Sequence, residues 1–400
     1  MTYQPSTHIL EKYAQLMIEF ALGNGKGIQK GDTVYIAIPE CAKPFYKPLQ
    51  KAVLQAGGHP LMQLLADDVT ASFFEHATDE QITQFHSKYY EGLIDQADHW
   101  LRILADNDKK ELQHIPPKKI MSRQLAHKPL MDMRNKKEHA NKMSWSLCLY
   151  ATQAMADEAK LSLQEYWDEI IKACYLDTED PISQWKQTYT EIHRIENELN
   201  ALEIDTLHIT SQSTNLTVKI GPKRKWLSGR GCNIPSFEIY ISPDWRGTNG
   251  YIQFTEPLYR YGTLITQAYL EFTDGLVTKA TAKDGEEQLQ EMIAVKNANK
   301  IGEFSLTDAR FSKITKFMAE TLFDENVGGK NGNTHIAIGM AYKDSYTGDI
   351  QSLSEADWEE LGFNDSAVHT DIVSTENRVV TATLKNGSQK IIYKDGQFQV

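Results

Sequence analysis

Two histidines stand apart from the rest. Of the twelve in the chain, ten lie at or before His208, and His335 and His369 alone follow it. Both sit in short apolar runs, Thr334-His335-Ile336-Ala337-Ile338-Gly339 and Ala367-Val368-His369-Thr370-Asp371-Ile372-Val373. A polar ring in such a run must find a partner, and either a core hydrogen bond or a metal ion would serve. On a strand, residues i and i+2 face the same side. His369 and Asp371 would then present a nitrogen and a carboxylate to one point, both ordinary ligands for Zn²⁺ and similar ions; a plain His–Asp hydrogen bond explains the same spacing. Glu238, Glu303 and Glu325 also lie among apolar neighbours, where a carboxylate is costly unless paired or metal-bound. Taken singly, each is better explained as an edge or surface residue. Glu271, before the Asp274-Gly275 turn, reads as an outward-facing structural residue. The pattern of residues does not by itself choose the ligands.

Other chemistries leave no trace. There is no HExxH, no GxSxG elbow, no GxGxxG and no P-loop. The four cysteines form no CxxC pair, and together with the absence of a secretory-type N-terminus they predict free thiols in a reducing, cytoplasmic setting. The net charge of −12 argues against nucleic-acid or membrane-surface partners, which call for basic patches. The basic stretch Lys223-Arg224-Lys225 reads as a solvated turn between strands. No run of apolar residues is long enough to span a bilayer.

The elements that must position these residues fall into two textures. Residues 32–38, 59–65, 100–105 and 145–150 read as strands. They alternate with helical patterns at 45–56, 78–97 (Thr78 as N-cap) and 118–143. Such alternation predicts an α/β domain with a mainly parallel sheet over residues 1–200. Residues 181–199 form the clearest helix, with Trp185, Tyr189, Ile192, Ile195 and Leu199 on one stripe. Beyond residue 203, alternating strands and recurrent glycine turns predict an α+β, mainly antiparallel domain over 201–400, carrying one helix at 308–322.

From residue 230 to 375 the ordered segments resemble the thermophilic-type metalloaminopeptidases, the aminopeptidase T and aminopeptidase S family. The matching segments are Gly231-Cys232-Asn233-Ile234-Pro235 leading to Glu238, Ser242-Pro243-Asp244, Gly302-Glu303, Leu322-Phe323-Asp324-Glu325-Asn326, His335 to Gly339 with Tyr342, and Val368-His369-Thr370-Asp371. The chain departs from the family pattern at Cys232, where an arginine is expected. It departs again in residues 327–334, a few residues longer than usual, which bears on how Glu325 sits relative to His335.

The resemblance implies a homodimeric enzyme that removes the N-terminal residue of peptides, using two divalent ions (Zn, Co, Mg or Mn). Glu238, Glu303, Glu325, His335, His369 and Asp371 match the metal-binding positions, and Tyr342 matches a tyrosine that assists catalysis. On this reading Glu303, preceded by a glycine that permits close backbone approach, doubles as general base. Tyr342 can share a site with His335 only if the chain turns at Gly339, because residues seven apart on one strand point to opposite sides. A two-metal hydrolase of phosphoesters or small amides would use similar ligands, although Arg246 and Lys330 are the only cationic residues near them in sequence. A non-catalytic metal-binding protein is the third reading.

Overall fold

The computed structural model describes residues 3–260 and 262–400. Contacts divide the chain into two compact units. The first is the chain up to Gln187, with Gly229–Ser236 and Met318–Leu322; the second is Thr188–Ser228, Phe237–Phe317 and Phe323–Val400. The division falls within the helix Pro181–Ala201, whose predicted apolar stripe is buried throughout.

The first unit is built as the alternating texture predicts. Strands β1 (Thr33–Pro39), β2 (His59–Leu65), β3 (His99–Leu104) and β4 (Ser144–Leu149) form a parallel sheet in the order β2-β1-β3-β4, extended beyond β4 by the short strand Asn233–Ile234. β1 and β3 lie inside the sheet and are nearly continuous apolar runs, as a strand covered on both faces requires. The helix expected over 78–97 is two helices, Asp79–Thr83 and Ser87–Gln96. Thr78 is the N-cap, with a capping box to Gln81. The break follows from Arg123, whose Nη1 donates to the carbonyls of Ile82 and Gln84 at 3.1 and 3.4 Å; carbonyls taken in this way need no continuing helix.

The second unit holds two large antiparallel sheets and a two-stranded one that pairs Leu258–Arg260 with Thr263–Ile265. One has eight strands between Ile204 and Phe398. Glu271 takes its predicted place there, half-exposed between buried Leu270 and Phe272. The other has five strands: β5 (Leu227–Ser228), β6 (Glu238–Ile241), β7 (Ile301–Thr307), β8 (Asn333–Gly339) and β9 (His369–Ser374), in the order β9-β8-β7-β6-β5. β7 and β8 are buried at every residue. Their sheet therefore has two interior faces, and any polar side chain on it must be satisfied within the protein.

Two sequence readings are corrected. Residues 308–322 are not a helix; the only helical turn nearby is Thr321–Asp324. Local side chains take the backbone bonds a helix would need. Asp308 accepts from the Arg310 N–H and guanidinium and from the Phe398 N–H, and Ser312 Oγ accepts from the Ile314 N–H while donating to the Asn326 carbonyl. The basic triplet is not uniformly solvated either. Arg224 is half-buried against the Phe363 ring, 3.5 Å from its centre. Its guanidinium donates to the carbonyls of Pro222, Ser242 and Leu361.

One backbone feature aims the central strand. Ile301 pairs with Ile338 and Glu303 with Ala337, so Gly302 is the extra residue of a β-bulge. The bulge changes which face the strand presents from Glu303 onward. A Cβ at Gly302 would lie 2.2 Å from the Met340 carbonyl oxygen and 2.6 Å from that of Gly339. Gly302→Ala is expected to lower stability by about 1–3 kcal/mol, the usual cost of overpacking, measured by equilibrium denaturation; an unchanged midpoint would mean that the bulge does not need glycine.

Candidate metal centre

The register of the five-stranded sheet gathers the site. In antiparallel pairs, opposed residues share a face, and so do residues two apart on a strand. Thr307 opposes both Glu238 and Asn333, Glu303 opposes Ala337, Ala337 opposes Asp371, and Gly339 opposes His369. Stepping by twos along each strand places Glu238, Glu303, His335, His369 and Asp371 on one face. The other face carries Ile239, Ile241, Phe304, Leu306, Ile336, Ile338 and Ile372, all buried. Hydrophobic burial on that side and polar convergence on this one come from the same alternation.

The side chains meet closely. Glu238, Glu303 and His335 offer ligand atoms that all lie within 4.8 Å of one another, and among the described residues this is the one such group. His335 Nε2 is 3.1 Å from Glu303 Oε1, 3.2 Å from Glu238 Oε2 and 3.9 Å from Asp371 Oδ1. His369 Nε2 is 3.7 Å from Glu303 Oε2 and 3.5 Å from Asp371 Oδ1. Glu303 thus sits between the two imidazoles.

Both rings are held from behind. His335 Nδ1 donates to the Glu325 carbonyl at 3.1 Å, and His369 Nδ1 donates to the Met340 carbonyl at 2.8 Å. With its Nδ1 proton held by a carbonyl, each ring turns Nε2 to the carboxylates: protonated, Nε2 donates to them, and deprotonated it would offer its lone pair to a metal ion, the arrangement usual for a ligating histidine.

Glu325 arrives from the turn after Thr321–Asp324 rather than from a strand. Its carboxylate is buried, and Asn326 Nδ2 donates to its Oε1 at 3.4 Å. The segment that follows, residues 327–334, is anchored to it. Asn333 Nδ2 ties that segment down by donating to the carbonyls of Glu325 and Val327 at 2.9 and 2.6 Å. Tyr342 reaches the site by the turn at Gly339, where φ is +102°, and its ring lies 4.6 Å from that of His369.

The electrostatics follow from four carboxylates packed with two imidazoles, all buried except the half-buried Asp371 and His369. Burial pushes Glu303 up to about 7. Burial, then Asp371 and Glu238, push Glu325 well above the usual carboxylate range. Burial disfavours ionised Asp371 too, but His369 outweighs it and holds this carboxyl at about 2. Burial opposes charge on His369, yet Asp371 and Glu303 raise it to about 9. His335 is likewise raised, against burial, by its bonds to Glu238 and Glu303. Burial keeps the Tyr342 hydroxyl protonated. Like charges packed this closely need shared protons or cations between them, and the nitrogen and oxygen donors suit divalent ions such as zinc.

Sequence reasoning missed the supports. Asn326 was read only as the end of a family segment, with no role of its own, and Asn333 and the carbonyl of Met340 carry no motif, because asparagines in loops and carbonyl groups are ubiquitous. It also missed Arg260, whose charge helps lower Asp371. Arg246, which it noted, is bound bidentately to Asp244, and Lys330 is exposed.

The pattern of the family described as thermophilic metalloprotease (M29) matches residues 6–398. Aminopeptidase 2 of Geobacillus stearothermophilus is 27% identical, over 97% of this chain and 97% of that one. Aminopeptidase PepS of Streptococcus thermophilus is 26% identical, over 98% of each chain. Among solved structures, wild-type AmpT from Thermus thermophilus has the same fold, with a TM-score of 0.84 at 23% identity over 98% of this chain and 99% of that one.

His335→Ala would leave Glu238 and Glu303 facing each other without the ring between them. In metal-free protein it is expected to cost about 3 kcal/mol, as when one partner of a buried charged pair is removed. Denaturant titration in chelator reads this directly, and a change below about 1 kcal/mol would show that the ring does not satisfy the carboxylates.

Proposed function

Because the chain belongs to the thermophilic metalloprotease (M29) family, we propose that it is a metal-dependent aminopeptidase with two divalent ions held by Glu238, Glu303, Glu325, His335, His369 and Asp371. One observation carries the reading. Five ligand-type side chains share one face of one sheet, and each histidine has its Nδ1 fixed by a carbonyl and its Nε2 turned to the carboxylates.

When bound, the ions would polarise the scissile carbonyl and lower the pKa of a water toward neutrality. The residues of the chain do the rest. Glu303, between the two Nε2 atoms, accepts the proton of the attacking water and returns it to the leaving amine. Tyr342, kept protonated beside His369, donates a hydrogen bond to the developing oxyanion. Arg246, a cation that would favour a phosphate substrate, is already engaged by Asp244, which favours the peptide reading over the phosphoester one. The four free cysteines support a reducing, cytoplasmic setting. We extend the reading to a homodimer, which sedimentation would test.

Removal of metal by a chelator is expected to abolish hydrolysis of aminoacyl-nitroanilides, and Zn²⁺ or Co²⁺ to restore it; activity that survives complete removal would sink the two-metal reading. Glu303→Gln should lower kcat by at least ~100-fold while metal stays bound. Near-normal turnover would reject Glu303 as the base, and loss of metal would leave it the ligand role alone.

A further inference from the structure

Asn326 is wholly buried between two segments that deliver candidate ligands. Its Oδ1 accepts from the Phe237 N–H at 2.6 Å, one residue before Glu238. Its Nδ2 donates to Glu325 Oε1 at 3.4 Å. The asparagine is itself held in place: its N–H donates to the Phe323 carbonyl at 3.0 Å, and its carbonyl accepts from Ser312 Oγ at 2.5 Å. The backbone of Glu325 is fixed separately, by Asn333 and His335 on its carbonyl. One neutral amide therefore joins the start of the Glu238 strand to the carboxylate of Glu325. The chemistry calls for such a group. An aspartate there would add a fifth carboxylate to the cluster, and a lysine would repel a cation, whereas an amide offers one acceptor and one donor without charge.

We propose that Asn326 is a positioning residue: it sets the Glu238 strand entry and the Glu325 carboxylate in one fixed relation, so that both present oxygens to the same divalent cation. The inference rests on the metal-site reading above. Removing the amide frees the Glu325 carboxylate to turn and loosens the approach of β6, while no group touching the cation is itself changed. Partners of this kind are worth 10–100-fold in metal affinity.

The test is a cycle of Zn²⁺ titrations by competition calorimetry on metal-free protein. It compares wild type, Asn326→Ala, Glu325→Gln and the double variant, with metal-free melting temperatures as the folding control. Asn326→Ala is expected to weaken at least one zinc equivalent by ~10–100-fold. Its effect in the Glu325→Gln background should be at least ~3-fold smaller, because part of it acts through Glu325. Unchanged affinity, or a loss fully additive with Glu325→Gln, overturns the positioning role while leaving the metal reading intact. Wild-type protein that takes up no zinc overturns the metal reading and this inference with it. Should Asn326→Ala fail to fold, Asn326→Ser, too short to span both partners, runs the same cycle with the same expected and overturning results.

Discussion

The structure depends on one electrostatic constraint: four carboxylates and two imidazoles converge in a buried site, and no fold tolerates that density of charge without something between the groups. Five of the six come from a single sheet, where strand register alone decides which side chains share a face. A slip of one residue between β7 and β8 would send His335 to the apolar side and Ile336 to the polar one. Register is held by the apolar residues of the opposite face, so the hydrophobic core and the polar site specify each other.

Fine aiming comes from the backbone. The bulge at Gly302 turns Glu303 toward the site, and its lack of a side chain lets the Met340 carbonyl approach. That carbonyl then fixes His369. The turn at Gly339 carries the chain from β8 to Tyr342. Glycine at 302, the carbonyl of Met340 and the His369 ring thus form one mechanical chain, and Glu325 with its asparagine supports closes the far side.

Legibility in the sequence tracked the range of the interactions. β1 to β4 are short apolar runs between helical patterns, a local signal, and they fold as read. The His369-x-Asp371 pair could be read because both residues lie on one strand. Glu238, Glu303 and His335 are separated by tens of residues, and only sheet register unites them. No periodicity carries that information; the ordered family motifs did. The 308–322 segment misled for the opposite reason. Its composition favours a helix, but Asp308, Arg310 and Ser312 spend their hydrogen bonds on nearby backbone. Arg224 was misread because the stacking ring, Phe363, lies far along the chain.

The central claim is that this face of the sheet is built to hold two divalent ions. Counting metals in the purified, chelator-free protein by native mass spectrometry tests it most directly. The account predicts two ions per chain, falling to fewer when His369 and Asp371 are both replaced by alanine. A wild-type protein that carries none, even after exposure to zinc or cobalt, would contradict it.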